Sequence, residues 1–284
     1  MGDYGSTVPP LRSTPVGNPS HLPPVPNEIS VLVTGFGPFK TNLVNASYLI
    51  ASSLPASFAF PSPDETNPAT SDGDRRVSIH VHPSPIPVAY ATVRETLPVI
   101  LEQYAATHGG KRPDLVVHIG IASPRPYYSV ESQAHRDDYI ITDIEGRNGF
   151  EDGERRWKEM GLPAILRPGL VAHDEQHQNN APAASTSASM STPYPPDNNF
   201  LKTWKSLAPA DLDLRVSQDP GRYLCDFIFY TSMSLALLAG QDRNVLFLHV
   251  PGASEDADIE RGKKVALALI KTMVTCWIDE KHVA

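Results

Sequence analysis

The sequence predicts an α/β protein: a single-domain α/β/α sandwich around a mostly parallel central sheet. Three observations carry that reading. Short apolar runs of strand length alternate with longer apolar runs of helix length, the order that builds parallel sheets covered on both faces. One run, NVLFLHV at 244–250, is apolar but for Asn244 and His249 and is closed by Pro251-Gly252, which suits a strand buried in the middle of such a sheet. Finally, 284 residues suffice for one large domain with a sizeable core.

Residues 1–27 are rich in proline and serine with no apolar period, and are expected to be a disordered tail before a domain spanning 28–284. Strands are expected near 29–34, 77–82, 114–119, 213–217 and 244–249, and helices near 44–54, 88–107, 222–239 and 256–280. Two low-complexity insertions interrupt the alternation. The segment near 59–75 is rich in Pro, Asp and Ser, and that near 173–198 in Ser, Ala, Asn and Pro; both are expected to loop into solvent at little cost to the core.

Composition narrows the function classes. A net charge of −8 with no basic run argues against nucleic acid or an anionic membrane as partner. Two cysteines outside any short motif suit a reducing compartment. No apolar run reaches 18 residues and the N-terminus lacks a signal h-region, so a cytoplasmic address is expected. No metal site or cofactor is expected. HDEQH at 173–177 places its Glu outside the HExxH position. GFGPFK at 35–40 has Lys40 where a dinucleotide fingerprint needs its third glycine, and Pro38 breaks the turn.

The most informative segment is RVSQDPGRYLCDFIFYT at 215–231. Asp219, Pro220 and Gly221 are turn residues, and the apolar run from Tyr223 to Leu238 forms a helix. Cys225 then falls in the first helical turn, where the dipole and free N–H groups favour a thiolate and could hold an oxyanion. A lone cysteine is as readily a small buried hydrophobe. His249, however, closes the central strand that follows, and sites in open α/β sheets form at the carboxyl ends of strands. Nucleophile and base can meet there.

Three blocks carry a likeness. They are VLVTGFGPFKTNLVNAS at 31–47, PDLVVHIGIA at 113–122 with YSVESQAH at 128–135, and SQDPGRYLCDFIFYTS at 217–232 with LFLHVPG at 246–252. Together they resemble the cysteine pyroglutamyl peptidases, or pyrrolidone-carboxylate peptidases, animal-type members above all. The resemblance implies a thiol exopeptidase that removes N-terminal pyroglutamate from peptides through a thioester acyl-enzyme. It makes Cys225 the nucleophile, His249 the general base and Glu131 the third, acidic member. Phe36 and Phe39 would enclose the lactam ring, with Gly35 and Gly37 letting the backbone turn after the first strand. Relatives often associate, which implies a homo-oligomer.

Departures are visible as well. Family members follow the acid with a basic residue and, further on, an asparagine; here Ser132 and Arg136 stand at those places. A cationic Arg136 could pull Glu131 into an ion pair. Two alternatives follow: an inactive member serving as a binding protein, and a cysteine amidase acting on another N-blocked substrate.

Overall fold

A computed structural model describes residues 28–40, 42–61, 74–123, 125–171 and 194–279. The expected tail at 1–27 and the HDEQH run lie outside the described residues.

Seven strands form one sheet in the order β2-β3-β1-β4-β9-β5-β8. Strand β1 (Glu28–Gly35) lies between β3 (Asp74–Val81) and β4 (Leu115–Ile121), and β4 pairs with β9 (Val245–Val250), all parallel. Every residue of β4 and β9 is buried, as two-sided coverage requires of central strands. Strand β2 (Ser57–Pro61) runs antiparallel to β3 at one edge. At the other, β5 (Tyr128–Glu131) is antiparallel to β9 and parallel to β8 (Leu214–Ser217).

Side chains alternate across the sheet and define two cores. Val31, Val33, Val117, Leu246 and Leu248 point into one, against α1 (Ala46–Ser52), α4 (Asn198–Leu207) and α6 (Asp256–Met273). Trp204 and Trp277 fill that layer. Leu32, Val116 and Phe247 point the other way, against α2 (Tyr90–Thr107), α3 (Arg155–Glu159) and α5 (Leu224–Leu238). A small antiparallel pair, β6 (Ala134–His135) with β7 (Ile165–Leu166), lies beside α5.

Several expectations are corrected. Residues 59–61 and 74–75, placed in the first insertion, belong to β2 and β3. Residues 194–198, placed in the second, are already folded: Tyr194 stacks on Trp277 at 4.4 Å, and Asp197 caps α4 by accepting from Asn199 and Phe200 N–H groups. The helix expected to continue to 280 ends as α6 at Met273 and passes into a π-helical turn, Val274–Asp279. Cys276 is buried there in the core, as its apolar context implies.

Candidate active site

The carboxyl ends of β1, β4 and β9 lie along one edge, and the site residues collect there. His249 on β9 is paired in register with Gly120 on β4, and with Ser129 on β5. Because β5 runs antiparallel to β9, its last residue, Glu131, ends beside that histidine. Glu131 Oε1 lies 2.8 Å from His249 Nδ1. Both side chains are buried, at 0% and 3% exposure, so the contact is shielded from water. Ser129 Oγ donates to the same oxygen at 3.2 Å, which helps to fix the carboxylate. Its second oxygen, Oε2, has no hydrogen-bond partner among the described residues.

Helix α5 brings the sulfur to this edge. The turn before it is built by Asp219, which accepts from Gly221 N–H and Arg222, and by Gly221, whose φ of 86° only glycine adopts freely. Tyr223 is the N-cap and supplies no side-chain acceptor. Helix geometry therefore leaves the N–H groups of the first turn, Cys225 included, free to face an anion. The sulfur rests over β4: a Cβ added at Gly120 would lie 3.0 Å from Cys225 Sγ and 2.6 Å from the Phe247 ring. Glycine is thus required at 120 by close approach, next to the strand that carries His249.

One expectation about this sulfur fails. The helix start was expected to favour the thiolate, yet the Cys225 thiol is pushed well above its ordinary range. Burial is the largest cause, and the carboxylates of Glu131 and Asp226 add to it, with Arg125 opposing. Cys225 therefore rests as a thiol, and a base must take its proton before the sulfur can attack.

The loop after β1 flanks the same edge. Phe36 is 4% exposed, inside the α2/α5 core, whereas Phe39 is half-buried with its ring 6.3 Å from Tyr223. Lys40 stands over the other wall, its Nζ 4.8 Å from the Tyr223 ring centre. Neither Gly35 nor Gly37 has a positive φ, so neither turns the backbone by a left-handed conformation. A Cβ at Gly35 would sit 2.7 Å from the Tyr48 backbone, so Gly35 lets α1 approach the strand. The turn's positive φ, 50°, belongs to Lys40. Asn45 Nδ2 donates to Gly37 O at 2.8 Å, and Phe36 N–H donates to Ser47 Oγ at 3.0 Å, which pins the loop.

Arg136 does not reach Glu131. Its guanidinium pairs with Asp137 and donates to Leu162 O at 2.7 Å. The cation beside the acid is Arg125, 3.8 Å from Oε1, in the loop between β4 and β5. Ser132 donates to Ser217 O and so ties β5 to β8. Sequence reasoning did not single out Arg125, Tyr223, His135 or Asp226; the last two follow Glu131 and Cys225 along the chain.

Among the described residues no group of three or more His, Cys, Asp or Glu could hold a metal, and no helix is long and apolar enough to cross a membrane. A cavity of about 560 Å³ lies at the opposite ends of β4 and β9, lined by residues such as Arg112, Ser232 and Asn244, away from the sulfur.

No protein-family model matches the chain. Rat and human pyroglutamyl-peptidase 1 are each 27% identical to it over 245 residues, which is 86% of this chain and 90% of theirs. Pyrrolidone-carboxylate peptidase of Pyrococcus furiosus is 25% identical over 235 residues, 83% of this chain and 86% of that one. In three dimensions a mutant pyrrolidone carboxyl peptidase of the same organism superimposes with a TM-score of 0.58 at 20% identity, covering 87% of this chain and 99% of that one. The Thermococcus litoralis enzyme gives 0.58 at 16% identity, over 89% and 96%. In sequence across most of its length, and in fold, this protein is similar to the pyroglutamyl peptidases.

Proposed function

We propose that the chain is a cysteine exopeptidase that hydrolyses the amide bond after an N-terminal pyroglutamyl residue. The observation that carries this is the buried 2.8 Å contact between Glu131 and His249 at the strand edge where Cys225 Sγ rests on Gly120.

Chemistry follows from that arrangement. Glu131 holds His249 Nδ1, which leaves Nε2 to take the thiol proton of Cys225. The thiolate forms at the moment of attack, consistent with a thiol that rests protonated. Sulfur adds to the pyroglutamyl carbonyl, and first-turn N–H groups of α5 receive the oxyanion. His249 returns the proton to the leaving amine. A water activated by the same imidazole then cleaves the thioester and restores the thiol.

A pyroglutamyl ring is a neutral lactam, so its pocket needs apolar walls and a few polar groups rather than a counter-ion. Phe39 and Tyr223 supply such walls, with buried Phe36 as support. The binding-protein alternative rests on both Ser132 and Arg136; that Arg136 pairs with Asp137 rather than with Glu131 counts against one of those two grounds. A cytoplasmic address and association of copies belong to the same reading.

Release of a fluorescent amine from a pyroglutamyl amide, with a prolyl amide as control, tests the proposal. Turnover of the lactam alone, lost with iodoacetamide or in Cys225→Ser, is expected. Glu131→Gln should lower kcat by about 10- to 100-fold, less than loss of nucleophile or base, because it removes orientation and charge stabilisation only. Equal cleavage of both amides, or full activity in Cys225→Ser, would refute it.

A further inference from the structure

A second acid–imidazole pair stands beside the nucleophile and has no part in the chemistry above. Asp226 follows Cys225 in the first turn of α5 and is fully buried. Its Oδ1 accepts the His135 backbone N–H at 2.9 Å, and its Oδ2 lies 3.2 Å from His135 Nδ1. Arg222 Nη1 is 3.4 Å from the same Oδ2.

The tautomer of His135 follows from its other neighbour. Gln133 Oε1 accepts from Arg167 at 2.9 Å, which fixes the amide's orientation. Gln133 Nε2 therefore donates, and it lies 3.2 Å from His135 Nε2. The ring proton is then on Nδ1, aimed at Asp226. Tyr139 adds a further tie by donating its hydroxyl to His135 O.

Placement gives the pair its meaning. His135 lies four residues beyond Glu131, on β6, while Asp226 lies one residue beyond Cys225, on α5. The acid arm and the nucleophile's helix come from segments about ninety positions apart, and this pair joins them by two hydrogen bonds. We propose that His135 and Asp226 are a positioning pair that fixes Cys225 relative to the Glu131–His249 arm. This rests on Cys225 being the nucleophile.

Electrostatics gives Asp226 a second effect. The groups that act on the sulfur are Glu131 from β5, Arg125 from the preceding loop, Tyr90 from α2, and Tyr223 and Asp226 from the start of α5, with His249 carried on the neighbouring strand β9. Burial raises the hydroxyls of Tyr90 and Tyr223, so they are neutral near pH 7. Asp226 and Glu131 hold the thiol protonated and Arg125 opposes them. Removing one carboxylate charge should make the thiol more acidic.

Two readouts test the pair. The first is kcat and KM on a pyroglutamyl fluorogenic amide for His135→Ala and His135→Asn. The expected result is a kcat about 10-fold lower in His135→Ala, KM within about two-fold, and most of the loss recovered in His135→Asn, whose amide N–H replaces Nδ1–H. An unchanged kcat in His135→Ala, or His135→Asn as poor as His135→Ala, would overturn positioning. The second is the rate of iodoacetamide alkylation at Cys225, located by peptide mass with Cys225→Ser as blank. It needs no turnover, so it stands even if the substrate assignment fails. Asp226→Asn should speed alkylation at a given pH near 8, well below the midpoint, by about 10-fold; an unchanged rate there would overturn the part given to Asp226. Should Asp226→Asn not fold, the His135 pair of variants decides alone.

Discussion

Two histidines look into the same side of the sheet from adjacent strands. His118 on β4 faces Phe247 in register, and His249 on β9 faces Gly120, so each is the other's diagonal neighbour. Both are removed from water, at 0% and 3% exposure. What differs is the partner. His118 Nδ1 is 2.7 Å from the Thr34 hydroxyl, and its Nε2 has no hydrogen-bond partner among the described residues. His249 Nδ1 meets the Glu131 carboxylate. Burial with nothing charged to offset it pushes His118 down to about 3. A hydroxyl cannot hold an imidazolium in such a place, whereas a carboxylate can. The strand supplies a dry site to each histidine; the partner, a hydroxyl for one and a carboxylate for the other, sets them apart.

The comparison is broken most severely at His249. His249→Ala should lower kcat on the pyroglutamyl amide by about 10³-fold or more, since no other base reaches the sulfur's edge from β9. His118→Asn, by contrast, should leave kcat within about three-fold while lowering the urea midpoint. Equal kinetic losses would mean that the two rings share one task.

A smaller effect lies in the pH dependence of stability. The folded-state pKa of His118 is depressed, so its contribution is complete above about 6.5 and is lost as pH falls toward 3. Asp226 acts in the opposite sense. Burial pushes it up to about 6, so the folded state takes up its proton first and gains stability as pH falls through that value. Each slope is about 1.4 kcal/mol per pH unit between pH 6 and 4, and the two oppose. Urea midpoints at pH 6 and 4.5 should therefore show His118→Asn gaining on acidification relative to the parent, and Asp226→Asn losing. The same sign for both variants would contradict the assignment.

Smallest is the hydroxyl. Thr34→Val keeps the shape and removes the bond to His118, and should cost about 1 kcal/mol by urea denaturation with no change in kcat. A larger kinetic than thermodynamic effect would place Thr34 in the active machinery.

Much of this was legible beforehand, for a physical reason. β4 and β9 are short runs buried on both faces and bounded by turn residues, and their length marks them as strands. α2, α5 and α6 are too long to be strands. The edges were harder. YSVE at 128–131 is four residues long and alternates Tyr and Val with Ser and Glu, so it reads as a loop until Ser129 and Glu131 are seen inward beside His249. Its antiparallel course lets Glu131 arrive at the histidine. α4 carried a signal in Asp197 with Phe200 and Trp204 at helical spacing, but the low-complexity stretch before it concealed the boundary. Cys225 and His249 stand out in the sequence because each lies near the start or end of an element. The thiol's protonated rest state does not, because it depends on carboxylates brought from β5 and from the next residue.

The anchoring of residues 171 and 194 has a practical side. Val171 N–H donates to Asp242 Oδ1 at 3.0 Å, and Tyr194 hydroxyl donates to Asn244 Oδ1 at 2.7 Å. Both ends of the interval are thus fastened to the entrance of β9, while His249 stands at its exit, about 16 Å along an extended chain. The length of one strand thus separates Val171 and Tyr194 from His249, and a fluorophore or affinity tag attached at the exposed Val171 would ride on the rim opposite that histidine.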